Sequence, residues 1–224
     1  MPKQTFFNLP EKKRSAIVNA AVDEFADYGF ESASINRIVA NSSISKGSFY
    51  QYFEDKMDVF KYLMDIIAKE KTDYYMGKHP PSPHLDTFEY FRWMIKTGME
   101  FNSAYPRLVQ AVSRVLLVDG LYYGKDFAEY HKMSTDGLAM MIKQAVKNGE
   151  LDPHVDLDLA VIIMETWTNA ISTYILNEGM KQKDIMKWIR SAKTQEKIEK
   201  FLYVMEYGLR KTESEFVSSF EKGK

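Results

Sequence analysis

Residues 34–53 read Ser34-Ile-Asn-Arg-Ile-Val-Ala-Asn-Ser-Ser-Ile-Ser-Lys-Gly-Ser-Phe-Tyr-Gln-Tyr-Phe53, a pattern that predicts two short helices joined by a tight turn. Ser34 precedes the first helix and Ser45 the second, where a serine hydroxyl can cap the orphan backbone N–H groups. The serine-rich segment between the helices interrupts the apolar periodicity, because its side chains compete for backbone hydrogen bonds. Phe49 and Phe53, four residues apart, give the second helix one apolar face. The sequence therefore predicts a helix-turn-helix unit.

The rest of the second helix carries polar groups unsuited to a core. They are a cation, two small residues, two aromatic hydroxyls and an amide, on Lys46, Gly47, Ser48, Tyr50, Gln51 and Tyr52. Phosphate oxygens and base edges of DNA are hydrogen-bonded by groups of these kinds. This face is therefore predicted to read DNA.

Three segments resemble the DNA-binding domain of TetR-family transcriptional regulators: Gly29-Phe30, residues 34–38, and Ser45-Lys-Gly-Ser-Phe-Tyr-Gln-Tyr-Phe-Glu-Asp-Lys56. The resemblance covers about the first quarter of the chain, and beyond it only the length and the helical pattern are similar. It implies a DNA-binding transcriptional regulator, a repressor released from an inverted-repeat operator by a small lipophilic ligand. The residues that it implies as DNA contacts are Ser34, Asn36, Lys46, Gly47, Ser48, Tyr50, Gln51, Tyr52 and Lys56, with Arg37 beside them.

Distinct roles are expected within that set. Gly47 has no side chain, so its backbone can approach the groove closely. Tyr50, Tyr52 and Lys56 are expected to bind phosphate, and Lys46 and Gln51 to reach base edges. For the two tyrosines, packing under the next helix is the alternative. For Ser34 the alternative is a helix cap alone.

Net charge does not favour a nucleic-acid partner. The chain of 224 residues has a formal charge of −1, and its first 60 residues hold seven cations and eight anions. We therefore expect weak nonspecific DNA binding and an affinity that needs two copies of the domain. Cysteine is absent, which excludes disulfides and thiolate metal sites.

Apolar periodicity predicts an all-α fold. After an arm expected to be flexible to Asn8, helices are predicted over residues 10–28, 55–75, 86–102, 106–119, 125–148, 156–177 and 194–210, with 182–190 as a candidate extra helix. Three prolines between residues 77 and 83 mark the clearest break. We expect a helix-turn-helix domain at 1–54, a connecting helix at 55–76, and a ligand-binding and dimerisation domain at 77–224.

The helix at 156–177 is apolar nearly all round, which predicts burial on more than one side. By resemblance to the family, this helix and the last one form a four-helix bundle with a second subunit. The expected contacts are Trp167, Ile171, Tyr174, Phe201, Leu202 and Met205. The alternative is that these side chains form the intramolecular core alone.

An effector site is expected among the aromatic and methionine side chains of the C-terminal part, because methionine suits an adaptable pocket. The candidate residues are Trp93, Met94, Tyr123, Phe127, Tyr130, Met164, Glu165 and Trp167, and ordinary core packing is the alternative for each. Glu165 interrupts an apolar helix. In a cavity it would favour a cationic or hydrogen-bonding ligand, and otherwise it would face solvent or the partner subunit.

Other functional classes find little support. No nucleophile elbow, phosphate loop or zinc helix is present, so we expect no enzyme and no catalytic residue, cofactor or metal. The acids between Asp152 and Asp158 are expected to be solvated helix caps. The longest aliphatic run, at 160–164, is too short to span a bilayer, and a cytoplasmic protein is expected. A helical interaction or ligand-sensing module without DNA binding is the rival function, and an activator is the alternative to a repressor.

Overall fold

The computed structural model describes residues 1–79, 86–119, 124–125, 127–179, 181–182 and 184–209. Across these residues the regular structure is helical and no strand occurs, which confirms the all-α prediction. The helices are α1 (Gln4–Phe7), α2 (Glu11–Tyr28), α3 (Ile35–Asn41), α4 (Lys46–Tyr52), α5 (Lys56–Gly77), α6 (Thr87–Ala104), α7 (Pro106–Ser113), α8 (Ala128–Lys147), α9 (Leu157–Gly179), α10 (Ile185–Ile189) and α11 (Ala192–Leu209). A π-helical turn, Arg114–Val118, follows α7 directly.

The predicted flexible arm is wrong, because the N-terminal residues form α1 and dock against α4. Phe6 is fully buried, with its ring centroid 4.9 Å from that of Phe53. The backbone N–H of Lys3 donates to the Tyr52 carbonyl at 2.8 Å, and its Nζ donates to the Tyr50 carbonyl at 3.0 Å. These carbonyls belong to the last turn of α4, where carbonyl groups have no hydrogen-bond donors within the helix. The docked segment therefore satisfies the end of the helix predicted to read DNA.

Local capping explains most helix ends in the N-terminal part. Gly29 ends α2 with φ +69°, and its N–H donates to the Phe25 carbonyl at 2.9 Å. Ser45 Oγ accepts from the Ser48 N–H at 3.0 Å, as predicted for the start of α4. Ser34 precedes α3, but its hydroxyl makes no capping bond. Its expected capping role is therefore wrong: a carboxylate of α2 takes over part of that function.

Two hydrophobic cores are present among the described residues. The first contains the buried faces of α1 to α5 together with Leu108, Val112 and Val115 from α7 and the π-helical turn. The second lies between α6, α8, α9, α10 and α11. The first core therefore joins the N-terminal helices to the C-terminal part. The domain boundaries after residues 54 and 76 stay a prediction.

Helix α9 is long and apolar enough, by length and composition alone, to cross a membrane, with a mean hydropathy of 1.3 over its most apolar window. The helix is longer than the uninterrupted aliphatic run at 160–164, because polar residues interrupt its apolar sequence. Core helices of soluble proteins pass it too, and α9 packs against α6, α8, α10 and α11. The Asp156 carboxylate caps its start by accepting from the Leu159 N–H at 2.9 Å, as expected for the acids there.

Candidate nucleic-acid interface and effector cavity

The two faces of α4 differ as the sequence predicts. Phe49 and Phe53 are buried in the first core, whereas Tyr50 is 44% exposed. Lys46 and Gln51 of α4 are exposed too, as are Ser45 before the helix, Glu54 and Asp55 after it, and Asn36 of α3. A cation, an amide and a phenol are therefore presented to solvent by one short helix. The first turn of α4 is held by Ser45, whose Oγ lies 2.9 Å from Ser48 Oγ.

Gly47 lies in the first turn of α4, and the fold does not require a glycine there. An added Cβ would meet only Ser45 Oγ, at 3.8 Å, which is ordinary van der Waals contact. Its backbone does not need the left-handed region, since the positive-φ glycines described are Gly29 and Gly149. A missing side chain at an exposed helix start leaves room for a partner outside the chain.

Tyr52 lies in the core. It is 6% exposed, and its ring centroid is 6.2 Å from that of Phe6 in α1. Packing, which was the alternative for this residue, explains the position of the ring in the first core. The phosphate contact expected of Tyr52 stays a prediction.

The ammonium group of Lys56 is hydrogen-bonded to backbone carbonyls of the same chain. Its Nζ donates to the carbonyls of Phe30 at 2.6 Å and Glu31 at 3.1 Å, with the Ala33 carbonyl at 3.4 Å. It also lies 4.7 Å from the centroid of the Phe30 ring. The three ammonium donors are therefore directed at the loop between α2 and α3, and the phosphate contact expected of Lys56 stays a prediction.

Arg37 forms an ion pair with a buried acid. Its Nη2 lies 2.5 Å from Glu24 Oε1, and Glu24 is 1% exposed while Arg37 is 43% exposed. Glu24 also accepts from the Ser34 N–H at 2.6 Å, so its carboxylate caps α3 from the neighbouring helix. The hydrogen bond to Glu24, together with its charge, raises the pKa of Arg37 above its ordinary value. Arg37 therefore positions α3, and its guanidinium stacks 4.0 Å from the centroid of the Tyr28 ring.

A charged joint connects α2 with α7, which the sequence did not predict. Arg107 pairs with Asp23 at 3.0 Å and with Asp27 at 2.9 Å. Directly after α7, Arg114 Nη1 donates to the Asp27 carbonyl at 2.9 Å, and Asp119 Oδ2 accepts from the Phe30 N–H at 2.5 Å. The end of α2 is thus held by side chains of the C-terminal part. The π-helical turn that carries Arg114 is a feature often found at functional sites.

A cavity of about 720 Å³ lies between α5, α6, α7, α8 and α9, within the range of small-molecule sites. Of the eight side chains predicted to bind an effector, Met94 and Glu165 line it. Phe127 and Met164 are instead buried in the two cores. Trp93 packs beside the cavity with its ring 5.6 Å from that of Tyr75, and Trp167 packs against the second core. Tyr123 and the side chain of Tyr130 lie outside the described residues.

The exposed apolar surface of α9 and α11 differs from the predicted dimer contacts. Ile171, Leu202 and Met205 are buried in the second core of the same chain, so these three do not lie on the surface. Trp167, Tyr174 and Phe201 are half-buried against that core. Among the described side chains of the two helices, the exposed large hydrophobic ones are Leu159, Ile162, Tyr203, Val204 and Tyr207.

These exposed side chains lie in the first half of α9 and in the second half of α11. Lys197 Nζ donates to the Tyr174 hydroxyl at 3.0 Å, so the first half of α11 lies beside the second half of α9. The exposed positions of α9 continue along the same side of the helix with Thr166, Ala170 and Thr173.

In the part of the chain described, no group of three or more His, Cys, Asp or Glu could hold a metal ion.

Comparisons with known proteins point to one family. Residues 17–63 match the family model of bacterial regulatory proteins, tetR family. The crystal structure of a TetR family transcriptional regulator from Chloroflexus aurantiacus J-10-fl has 30% identity and a TM-score of 0.77, over 95% of this chain and 100% of that chain. The HTH-type transcriptional repressor SCO4008 of Streptomyces coelicolor is 26% identical over 165 residues, covering 70% of this chain and 79% of the relative. Bacillus subtilis FadR in complex with stearoyl-CoA shares the fold, with a TM-score of 0.61 at 16% identity over 85% of this chain and 96% of that chain.

Proposed function

The chain belongs to the TetR family of bacterial transcriptional regulators, and on that premise we propose that it is a dimeric repressor released from an inverted-repeat operator by a small lipophilic effector. The observation that carries the DNA-binding part is the exposed polar face of α4 over a fully buried apolar one. The relatives are transcriptional regulators, and the rival function of a helical module without DNA binding is not favoured. A cytoplasmic location follows for a protein whose target is chromosomal DNA.

In the proposed complex, α4 enters the major groove. Lys46 and Gln51 are the side chains for base edges, and Tyr50 binds phosphate from the exposed side of the same helix. Gly47 allows the start of α4 to come close to the DNA backbone. Asn36 of α3, also exposed, adds a contact next to the groove. Arg37 and Lys56 are committed to internal contacts, so they hold the reading surface in shape.

Few cations remain for phosphate in each head, so we infer that binding requires two copies. The exposed apolar surface of α9 and α11 supports a twofold interface, since soluble monomers rarely expose contiguous apolar patches of large size. Leu159, Ile162, Tyr203, Val204 and Tyr207 are its proposed centre. A pair of helices from each subunit would then meet as a four-helix bundle, with the small residues Ala170 and Thr173 allowing close approach.

The joint between α2 and α7 supports a route for release. The cavity is lined by residues of α5, which continues from the DNA-reading helices, and of α7, which carries Arg107. An effector that prefers a different spacing of these two helices shifts both attachments of the reading head. The ratio of the effector's affinities for that arrangement and for the DNA-bound one sets how far DNA binding is weakened.

Selection from random duplex DNA with the purified protein tests the function. The enriched sites should be inverted repeats with half-sites about one helical turn, 10–10.5 base pairs, apart. Lys46→Ala and Tyr50→Ala should each weaken binding to the selected site, whereas Lys147→Ala, an exposed change in α8, should not. Failure to enrich any sequence, or equal affinity of all three variants, would overturn the proposal.

A further inference from the structure

The walls of the cavity differ in character. The sides formed by α6 and α7 are mainly aromatic and aliphatic, and include Phe91, Met94, Ile95 and Val112. The side formed by α9 is polar, with Glu165, Thr168 and Asn169. A molecule that fills this space must therefore present both an apolar surface and polar groups.

Helix α5 contributes the cation of the cavity wall. Ile67, Ala68, Lys71 and Tyr75 all line it, and their spacing places them on one side of the helix. The side chain of Lys71 is accessible, but protein surrounds it closely enough that burial lowers the pKa of its ammonium group. The accessible side chain and the lowered pKa are both explained if the accessible surface of Lys71 faces the cavity more than the bulk solvent.

The ammonium of Lys71 has no counter-ion among the described residues. It lies over the ring of Tyr75, with the ring centroid 5.9 Å away. Acids nearby on α5 are engaged elsewhere: Glu70 accepts from the Tyr105 hydroxyl at 2.9 Å, and Asp73 pairs with Lys69 at 2.6 Å. A partly desolvated charge is unfavourable unless it is paired, so this position favours an incoming anion.

Resting on the function proposed above, we propose that the effector is an amphipathic organic anion whose acid group pairs with Lys71 and whose apolar body packs against α6 and α7. The opposite choice, a cation bound to Glu165, has less support, because Glu165 already interacts within the chain. Neutral hydrogen-bonding groups such as Asn169 remain for other polar atoms of the ligand. Lys71 lies on the helix that leads to the DNA-reading head, so the pairing acts directly on the proposed route of release.

Calorimetric titration with three probes of equal chain length tests the head group. Decanoate, decan-1-ol and decylammonium carry a negative, a neutral and a positive group on the same apolar body. The wild-type protein should bind decanoate about 10- to 100-fold more tightly than decanol, the range expected of a hydrogen bond to a charged group. In Lys71→Met that preference should disappear, while Lys71→Arg should retain it. Thermal unfolding of each variant establishes that it is folded.

Several results would overturn the proposal. They are a preference for decylammonium that Glu165→Gln removes, equal binding of the three probes, binding of none, or a decanoate preference that survives in Lys71→Met. Binding of the wild-type protein to the selected DNA site, measured without any probe, is a separate readout. Loss of DNA binding with an intact head-group preference would refute the proposed function alone, and the reverse result would refute the effector class alone.

Discussion

Replacing Glu24 by Gln tests how the DNA-reading head is held in shape. The Glu24 carboxylate receives hydrogen bonds from Arg37 Nε at 2.9 and 3.0 Å, from Arg37 Nη2 at 2.5 Å and from the Ser34 N–H at 2.6 Å. Glu24→Gln keeps the size and one acceptor oxygen, but it removes the charge and turns an amide NH₂ toward a guanidinium. We expect a folded but less stable protein.

The expected loss is about 2 kcal/mol. Breaking a fully buried ion pair costs roughly 3–5 kcal/mol, and a single hydrogen bond to a charged group contributes about 1.5–3 kcal/mol. The lower range applies here, because Glu24 is 1% exposed but Arg37 is 43% exposed and regains water when the pair is broken. With a urea dependence of about 2 kcal/mol per molar, the midpoint of unfolding should fall by about 1 M.

Urea unfolding followed by circular dichroism, at one fixed protein concentration, measures this loss. Glu31→Gln is the matched control, because Glu31 is an exposed acid in the loop that follows α2. Its midpoint should stay within about 0.3 M of the wild type, as surface changes usually do. A Glu24→Gln midpoint as high as that of the control would refute the proposed role of the ion pair.

Three further predictions concern single positions. Gly47→Ala should raise stability by about 0.5–1 kcal/mol, as expected for a helix, and still weaken operator binding; unchanged affinity in a gel-shift titration would contradict the proposed close approach. Gly137→Ala should raise stability by the same amount, because no atom lies within 4 Å of the added Cβ. Gly98→Ala should give no such gain, because its Cβ would lie 2.7 Å from the Tyr75 hydroxyl oxygen. Equal unfolding midpoints of these two variants would contradict this. The Lys96 hydrogen bond lowers the pKa of Glu199, so the stabilisation it provides should be complete above the ordinary value of 4.5 and lost as pH falls through the folded value. Thermal unfolding of Glu199→Gln should therefore differ from the wild type at pH 7 and converge with it in acid, and a constant difference would contradict the assignment.

The helix-turn-helix was predictable because its signals are local. Ser45 and Asp55 cap the helices that follow them within three residues, and Gly29 ends α2 by its own backbone conformation. Phe49 and Phe53 lie one turn apart, so the buried face of α4 could be read from their spacing. Such features need no knowledge of the rest of the chain.

The roles of the head's cations were not predictable, because their partners are distant in sequence. Glu24 and Arg37 are 13 residues apart, and Lys56 reaches the Phe30 carbonyl across 26 residues. From the sequence, Lys56 was expected to contact DNA and Arg37 to lie beside the contacts. The structure gives each of them an internal partner, which spacing alone does not reveal.

Periodicity also identifies an apolar helix without assigning its sides. It predicted that α9 is buried on two sides, but Ile171 proved to face the chain's own core while Leu159 and Ile162 face outward. Lys71 gave no signal either, since a lysine in a helix of mixed composition reads as a surface residue. Its position became evident only with α6 and α7 packed around it.

The distance between the two α4 helices in solution is the most direct test of the central claim. The chain has no cysteine, so Glu54→Cys, an exposed position just after α4, gives one spin label per subunit. Pulsed electron resonance on the protein bound to its selected DNA site should yield one distance, near the helical turn of about 34–36 Å. Absence of any measurable distance, or one incompatible with successive major grooves on one face of DNA, would contradict the claim.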